Sequence, residues 1–297
     1  MSQTTLLERV EPVARDVLAL TLRGRHGPLA PWQPGAHIDL SLPNWLQRQY
    51  SLCGDPADPD RYRIAVRREP LSRGGSEYVH LFLREGRELT VSLPRNNFPL
   101  VPAPSYLFVA GGIGITPILP MLRAATALGA ATSLVYTGRA ADTMPFAQEL
   151  ASRHDTRIGV GRADLTALAA DLDPSTLVYC CGPEAMLAAA EDAFPTGQLH
   201  VERFRPRTRQ FPANRPFELV LARSGLALPV SQDEPALDVL DRAGAGVPAG
   251  CREGVCGTCE VTVLEGTPEH RDEVGGAADR LYPCVSRALS DRLVLDL

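Results

Sequence analysis

The chain contains no lysine. All 30 basic residues are arginine, and they stand against 35 aspartate and glutamate residues, for a net charge of −5. Alanine, glycine and proline are used heavily, so we interpret the missing lysine as a compositional bias of the genome rather than a functional feature. A net acidic chain is a poor binder of nucleic acid by default, so nucleic acid is not expected as a partner.

Long apolar runs are also absent. No apolar segment reaches the roughly 18 residues that cross a bilayer, so no membrane partner is expected. The first residues, MSQTTLLERVEP, lack the basic segment and apolar core of a secretory signal. We therefore expect a cytoplasmic protein, and a monomer is the simplest expectation for its oligomeric state.

No repeat of fixed period and no low-complexity tract is present, so a repeat architecture is not expected. The 297 residues allow two domains, or three small ones. The chain has seven cysteines, an odd number. In a cytosolic protein this argues against a disulfide framework and for metal or redox chemistry.

The pattern of the chain changes along its length and predicts three domains. Residues 1–101 contain short strands separated by turns such as QPG, which favours an antiparallel β-barrel. Residues 102–208 alternate strands with helices, which is typical of an α/β domain with a parallel sheet. The segment FRPRTRQFPANRP is rich in arginine and proline and contains a predicted linker at 209–215. Residues 216–297 form the last domain.

Four of the cysteines make the most specific motif. Cys251, Cys256 and Cys259 stand in CREGVCGTC with the spacing C-x4-C-x2-C, and Cys284 follows after 24 residues. This is the plant-type spacing for a [2Fe–2S] cluster. Three thiolates within nine residues can face one centre only if the backbone wraps around it, which the glycines of this loop allow. A zinc site or incidental buried thiols are the alternatives, but zinc sites favour paired C-x2-C units, and only one is present.

The other three cysteines have weaker claims to chemistry. Cys180 and Cys181 end an apolar strand and are interpreted as packing residues, although one of them can also line a nucleotide cleft. Cys53 follows Tyr-Ser-Leu and is interpreted as structural.

A glycine-rich turn, GGIGITP, follows the apolar run at 107–110 and precedes a helical pattern. Gly112 and Gly114 let a ligand approach the backbone, and the free amides of the following helix suit a diphosphate. A proline at the helix start loses no useful N–H. A second turn, Cys181-Gly182-Pro183, follows a later strand and is placed to cap the same cleft.

Arg139 stands after the second strand of this domain, where many dinucleotide-binding domains have an acidic residue. Its guanidinium can bind the 2′-phosphate of NADPH, or only a ribose or the diphosphate.

The barrel contains RQYSL and, further on, SRGGS before a helical stretch. Arg48 supplies a permanently charged partner for a phosphate. Tyr50 can lie against an isoalloxazine ring or its ribityl chain, and Ser51 can donate a hydrogen bond towards flavin N5. The turn at 74–76 is typical of a second phosphate-binding turn at a helix start. An ordinary strand end and loop is the alternative for an isolated motif of this kind.

The order barrel, nucleotide domain, plant-type ferredoxin resembles the phthalate dioxygenase reductase family, to which vanillate demethylase reductase subunits are related. The resemblance extends over nearly the whole chain and is carried by RQYSLCG, SRGGSEYVH, PRNNFPL, GGIGITP, CGPEAM and CREGVCGTC. It implies a flavin barrel, a nicotinamide-binding α/β domain and a β-grasp ferredoxin domain.

The resemblance also implies the cofactors and the site. Hydride would pass from NADH to FMN, and a 2Fe-2S cluster held by the four cysteines would take the electrons singly. Ser51, Thr116 and Phe204 would be the catalytic residues, with Phe204 covering the flavin face where nicotinamide enters. The predicted cofactor-binding residues are Arg48, Tyr50, Ser51, Ala65, Val66, Gly74, Gly75, Ser76, Gly112, Gly114, Thr116, Arg139, Cys181, Gly182, Pro183 and Phe204.

The implied partner is a Rieske-type oxygenase on a separate polypeptide. From residue 215 onward the chain has 8 arginines against 14 acidic residues, so the acidic excess lies in the ferredoxin domain and can steer a basic partner. A cytochrome P450 or another monooxygenase is an alternative partner. A redox-relay subunit with an inactive nicotinamide site is a further alternative. The intact glycine turns argue against it.

Overall fold

The structure is a computed structural model that describes residues 2–71, 73–152, 155–275 and 277–297. It divides into two compact units, Met1–Glu202 and Arg203–Leu297. The predicted barrel and residues 102–202 of the predicted nucleotide domain lie within the first unit, whereas residues 203–208 and the predicted linker at 209–215 lie within the second. The domain boundaries themselves stay predictions.

The N-terminal part of the first unit is an antiparallel sheet that closes on itself. Its elements, within the described residues, are β1 (Ser2–Ala14), β2 (Val17–Gly24), β3 (His37–Ser41), β4 (Gln47–Ser51), β5 (Arg61–Arg67), α1 (Gly75–Phe82) and β6 (Glu88–Ser92). The strand order is β4-β3-β6-β1-β2-β5. An isolated bridge between Leu52 and Ile64 joins the two edges, and the Cys53 amide donates to the Arg63 carbonyl (2.8 Å). Closure of this kind removes exposed strand edges.

The C-terminal part of the first unit is a parallel sheet with helices. Its elements are β7 (Ser105–Gly111), α2 (Ile115–Ala127), β8 (Ala131–Gly138), α3 (Ala147–Leu150), β9 (Thr156–Val160), α4 (Leu165–Ala170), β10 (Thr176–Cys181), α5 (Glu184–Ala193) and β11 (Leu199–Glu202). The strand order is β11-β10-β7-β8-β9, and the neighbouring strands run parallel. Apolar runs such as YLFVA in β7 are buried on both faces, as parallel sheets require.

Helix α2 begins two residues earlier than its proline pattern suggests. It starts at Ile115, so Pro117 is the third helical residue instead of the first. The first four N–H groups of a helix have no acceptor within the helix, so this proline still costs no hydrogen bond. Pro120 also lies inside the helix.

The second unit is a mixed sheet with one helix, the β-grasp arrangement. Its elements, among the described residues, are β12 (Phe217–Leu221), β13 (Ala227–Val230), α6 (Ala236–Arg242), β14 (Val261–Glu265), β15 (Pro268–Glu269), β16 (Arg280–Leu281), β17 (Arg287–Ala288) and β18 (Arg292–Leu295). The main sheet has the order β13-β12-β18-β14-β16, with β12 and β18 parallel. The buried face of α6, which includes Leu237 and Leu240, packs into the same apolar core as Leu219 and Leu293. The predicted fold class is confirmed for all three architectures.

The segment before β12, which includes the predicted linker, is held against the rest of the second unit. Arg207 donates to Glu273 through its backbone amide (2.9 Å) and its Nε (3.0 Å). Arg209 lies 2.7 Å from the same carboxylate and donates to the Asp272 carbonyl. The Glu273 carboxylate is almost fully buried, and these two arginines lower its pKa despite burial. Arginine therefore orders a stretch that charge and proline predict to be loose.

Among the described residues, no helix is both long enough and apolar enough to span a bilayer.

Candidate functional site

The first predicted phosphate site forms where β4 meets the start of α1. Gly74 has φ 83° and directly precedes the helix. The Arg48 side chain passes so close that a Cβ on Gly75 would lie 2.7 Å from its Cγ and Nε. Arg48 is fixed by donating to the carbonyls of Gln47 and Arg73, each at 2.8 Å. A guanidinium and the free amides of a helix start therefore lie together, a combination that suits a phosphate.

The other predicted flavin residues lie on the strands beside this site. Ser51 is buried at the end of β4, and Tyr50 precedes it with a pKa raised by burial. Ala65 and Val66 are buried on β5, the strand that bridges back to the end of β4. The Val66 carbonyl lies 2.9 Å from His80 Nε2. The Ser76 hydroxyl accepts a hydrogen bond from the Glu69 amide (3.1 Å).

The two predicted nucleotide turns are in direct contact. Residue Cys181 of β10 is paired with Ala110 of β7, so both turns leave the same edge of the sheet. A Cβ on Gly114 would lie 2.2 Å from the Cys181 carbonyl oxygen, and one on Gly111 would lie 2.6 Å from Pro183 Cδ. Gly112 has φ 55°. The close approach requires glycine at Gly111 and Gly114, and the left-handed backbone favours glycine at Gly112.

Two hydroxyls stabilise the first turn. Thr116, a predicted catalytic residue, is buried, and its hydroxyl donates to the Ile113 carbonyl (2.9 Å). Tyr136, which the motif analysis did not single out, is buried on β8, and its hydroxyl donates to the carbonyls of Gly112 (3.1 Å) and Pro145 (3.0 Å). Burial raises the pKa of this phenol, so the hydroxyl keeps its proton.

A buried carboxyl group joins the predicted flavin and nucleotide residues. Glu202 ends β11 beside Cys181 of β10, and its carboxyl is hydrogen-bonded to the Ser51 hydroxyl. The Oε2 atom is buried without a hydrogen-bond partner among the described atoms. Burial raises the pKa of Glu202 to about 8. The pKa of the Cys181 thiol is also raised, first by burial and second by the nearby Glu202 carboxyl. Sequence reasoning missed Glu202, although it lies within HVERF, two residues before Phe204.

Replacing Glu202 with glutamine is expected to weaken the pH dependence of unfolding of the first unit. The folded carboxyl has a pKa of about 8 against 4.5 for the unfolded chain. Between these values the folded state holds a proton that the unfolded state releases, so stability falls as pH rises. One group contributes at most about 1.4 kcal/mol per pH unit to this slope.

Thermal and denaturant unfolding between about pH 5 and about pH 8 measures the effect. Glu218→Gln, which changes an exposed carboxyl on β12, is the control. A Glu202→Gln slope equal to that of the unmodified chain would contradict the buried, protonated carboxyl.

Two predicted residues, Arg139 and Phe204, are not part of the contacts described above. Arg139 follows β8 and is exposed. Phe204 belongs to the second unit, and its side chain is 40% exposed. The roles assigned to both stay predictions.

The four cysteines of the second unit are brought together as two pairs. The thiols of Cys251 and Cys256 are hydrogen-bonded, and so are those of Cys259 and Cys284. The backbone turns sharply around them, with φ 73° at Gly254 and 72° at Gly257. Within the described part of the chain, no group of three or more His, Cys, Asp or Glu residues is arranged to hold a single metal ion.

Hydrogen bonds to sulfur surround the pairs. The Thr258 hydroxyl and amide donate to Cys256 Sγ at 3.0 and 3.4 Å, and the Glu253 amide donates to Cys251 Sγ at 3.3 Å. The pKa of Cys256 is lowered to about 6, first because the Cys251 thiol donates to it. The donor set of two thiol pairs with inward-pointing amides fits a two-iron cluster bound by four thiolates.

Comparison with known proteins agrees with this geometry. The family model of the 2Fe-2S iron-sulfur cluster binding domain matches residues 219–289. The chain is 38% identical to phthalate dioxygenase reductase of Burkholderia cepacia, covering 97% of this chain and 95% of that one. It is 41% identical to phenoxybenzoate dioxygenase subunit beta of Ectopseudomonas oleovorans, covering 96% and 94%.

Solved structures show the same architecture. A phthalate dioxygenase reductase, described as modular for electron transfer from pyridine nucleotides to [2Fe-2S], matches with a TM-score of 0.74 and 36% identity over 100% of this chain and 98% of that one. An intact type IV self-sufficient cytochrome P450 monooxygenase matches with a TM-score of 0.93 and 39% identity over 100% of this chain. The present chain corresponds to 41% of that longer protein.

Fold and site together define an iron–sulfur oxidoreductase that transfers electrons. The sequence identity of 38% over 97% of the chain narrows this class: the chain belongs to the phthalate dioxygenase reductase family.

Proposed function

We propose that this protein is the reductase component of a two-component oxygenase. It takes electrons from a reduced nicotinamide nucleotide, for which the resemblance implies NADH, and passes them through FMN and a 2Fe-2S cluster to a separate oxygenase. The flavin, when bound, supplies the step from a two-electron hydride to single electrons that an iron–sulfur cluster can accept.

The observation that carries the proposal is the junction of Ser51, Glu202 and Cys181. Ser51 ends the strand that carries the phosphate partner Arg48, and Cys181 begins the turn that packs on Gly114. Glu202 is hydrogen-bonded to Ser51 and paired through β11 with the strand of Cys181. A flavin on one cradle and a nicotinamide on the other would therefore meet here, and Glu202 would hold the Ser51 hydroxyl in place.

The choice of FMN is supported by the phosphate cradle at Arg48 and Gly74–Ser76. A guanidinium and a helix start suit the terminal phosphate of a mononucleotide. The four cysteines would hold the cluster, and the amides and the Thr258 hydroxyl would tune its potential through hydrogen bonds to sulfur.

For the partner, the Rieske-type oxygenase is the first candidate because the resemblance is to reductases of such systems. The phthalate dioxygenase reductase and phenoxybenzoate dioxygenase relatives are named for dioxygenases. A cytochrome P450 is the second candidate, which the TM-score of 0.93 with the self-sufficient P450 monooxygenase favours. The acidic excess of the ferredoxin domain would steer a basic docking face in either case.

Cofactor analysis and reconstitution test the proposal. The purified protein should contain FMN, iron and sulfide at about 1:2:2, as a single flavin and one two-iron cluster require. It should reduce cytochrome c with a reduced nicotinamide nucleotide, and then support turnover of a Rieske oxygenase encoded beside it or of a P450. FAD in place of FMN would refute the flavin assignment, and absence of nucleotide-dependent turnover would identify an inactive relay subunit.

Arg48→Ala is expected to weaken FMN retention. Loss of one charge-assisted phosphate contact costs about 1.5–3 kcal/mol, or roughly a 10- to 100-fold rise in Kd. Flavin occupancy after gel filtration and fluorescence titration of the apoprotein with FMN measure it. Arg84→Ala is the matched control, because Arg84 binds carbonyls of Leu81 and Leu83 at the opposite end of α1. Equal flavin affinity in the two variants would place the phosphate elsewhere.

A further inference from the structure

The segment that precedes β12 is held along its length by the rest of the second unit. Its residues 207–215 are called the strap below. The Phe211 ring lies under the Arg271 guanidinium, 4.9 Å from the ring centroid, and Arg287 donates to the Arg215 carbonyl (3.0 Å). Both of these arginines follow β15 in the chain, and their side chains are largely buried. The strap is therefore part of the folded second unit, although the family model of the cluster domain begins only at residue 219.

The strap begins on a buried carboxylate. Arg207 donates to Glu273 Oε1 through its backbone amide (2.9 Å) and to Oε2 through its Nε (3.0 Å), and Arg209 lies 2.7 Å from Oε2. The Glu273 side chain is only 4% exposed, so solvent and salt screen these contacts little. Charge-assisted hydrogen bonds are about twice as strong as neutral ones. Removal of the carboxylate charge would therefore release the first part of the strap.

Glu273 also contacts the cysteine loop. Its amide donates to the Gly254 carbonyl (2.8 Å). Gly254 has φ 73°, and a Cβ there would lie 2.6 Å from Val285 Cγ2, so the loop is closely packed at this point. The Gly254 amide in turn donates to the sulfur of Cys284. Glu273 therefore joins the strap, through its carboxylate, to the loop and a predicted cluster ligand, through its amide.

The turn that carries Glu273 has little freedom to move alone. The neighbouring Asp272 side chain is buried, and one of its oxygens accepts from two backbone amides of the same turn (3.1 and 3.0 Å). The other oxygen accepts from the hydroxyl of Ser286 (3.1 Å), two residues after Cys284. Close-packed interiors transmit a displacement rather than absorb it. A change at the Glu273 carboxylate should therefore reach Gly254.

We propose that Glu273 is a positioning residue for the 2Fe-2S cluster and that the strap holds it in place. By fixing Gly254, it keeps the amide of that residue directed at Cys284, and hydrogen bonds to sulfur stabilise the reduced cluster. The strap is then part of the cluster module, and the cluster potential depends on residues outside the cysteine motif. The inference rests on the proposed function, since it concerns the cluster of that same reaction.

Glu273→Gln should make the potential of the cluster more negative. The variant keeps the size of the side chain and removes the charge that holds the strap. Loss of one hydrogen bond to sulfur corresponds to roughly a 2- to 10-fold change in the equilibrium constant of cluster reduction. Dithionite titration of the holoenzyme, followed by the visible and electron paramagnetic resonance spectra of the cluster, measures the shift without any nucleotide.

The sign of the shift separates positioning from a plain charge effect. Removal of a carboxylate near the cluster would by itself favour reduction and make the potential more positive. A second variant, Arg207→Gln with Arg209→Gln, removes the partners of the carboxylate and leaves the turn and the loop unchanged, and it should also shift the potential to more negative values. Glu265→Gln, which breaks an exposed ion pair with Arg292, is the control and should leave the potential as it is.

Digestion with trypsin reports on the strap itself. Trypsin cleaves after arginine, and neither Arg207 nor Arg209 is followed by proline. Cleavage requires the strap to leave the surface, so both bonds should be protected in the unmodified chain and in Glu265→Gln. In Glu273→Gln they should be cleaved at least about 10-fold faster, as measured by mass spectrometry of the fragments.

A Glu273→Gln potential that is unchanged or more positive would overturn the proposal. An unchanged potential in the double arginine variant would do the same, and so would equal rates of strap cleavage in Glu273→Gln and the unmodified chain. The proposed function fails separately, if no reduced nicotinamide nucleotide reduces the holoenzyme. The dithionite titration still measures the role of Glu273 in that case.

Discussion

Cys256→Ser should remove the cluster and with it electron transfer to cytochrome c, while nucleotide-dependent reduction of ferricyanide through the flavin continues. Cys256 Sγ accepts from both the amide and the hydroxyl of Thr258 and pairs with Cys251, so its contacts suit the predicted role of cluster ligand. A serine oxygen is a poor ligand for iron compared with a thiolate. We expect cytochrome c reduction to fall by at least about 100-fold, or roughly 2.7 kcal/mol.

Iron and sulfide content, the visible spectrum and both activities measure this result. Thr258→Val is the companion variant, because it keeps all four cysteines and removes only the hydroxyl bond to Cys256 Sγ. It should retain the cluster at a more negative potential, since hydrogen bonds to sulfur stabilise the reduced state. Loss of ferricyanide activity together with cytochrome c activity in Cys256→Ser would contradict separable flavin and cluster modules.

Gly114→Ala should strongly impair reduction by either nicotinamide nucleotide. The added Cβ would lie 2.2 Å from the Cys181 carbonyl oxygen and 2.8 Å from the Gly182 amide nitrogen. These are backbone atoms of a buried strand end, so no side-chain rotation relieves the contact, and the two turns must separate. Because the two turns form the predicted nucleotide site together, kcat/KM should fall by at least about 100-fold.

Stopped-flow reduction of the flavin by the nucleotide measures this effect, and chemical reduction by dithionite shows that flavin and cluster remain intact. Gly197→Ala is the control, since a Cβ there meets no atom within 4 Å. A Gly114→Ala variant with native rates would mean that the close packing of the two turns is irrelevant to nucleotide binding.

Local motifs indicated the candidate parts of this site, because each part is built from residues close together in sequence. The CREGVCGTC loop carries three of the cysteines within nine residues, and in the structure Cys251 pairs with Cys256 while Cys259 pairs with Cys284. The glycines of GGIGITP indicate a backbone that a ligand can approach closely. The parallel-sheet architecture followed in the same way from strand and helix alternation, and the β-grasp architecture from the resemblance of the cysteine-containing domain to plant-type ferredoxins.

Residues that act across the fold were harder to predict. Glu202 has no local motif: its role depends on Ser51, which is far away in the chain, and on burial that raises the pKa of its carboxyl. In the sequence Tyr136 is an ordinary strand residue. Only the folded chain brings its hydroxyl to the Gly112 carbonyl, to which it donates. The arginine- and proline-rich segment predicted a loose linker, and the buried Glu273 orders it through Arg207 and Arg209.

From the amino-acid sequence alone came the three architectures, which the structure confirms, and the predictions of four cluster cysteines and two phosphate-binding turns, since glycine, cysteine and arginine act there through local backbone geometry and fixed charge. Only the tertiary structure decided which of these meet. The end of β4 meets the end of β11 through Ser51 and Glu202, and the pairing of β7 with β10 placed the turn at Gly114 against Cys181. Strand order and burial arise from long-range packing, which no short stretch of sequence contains.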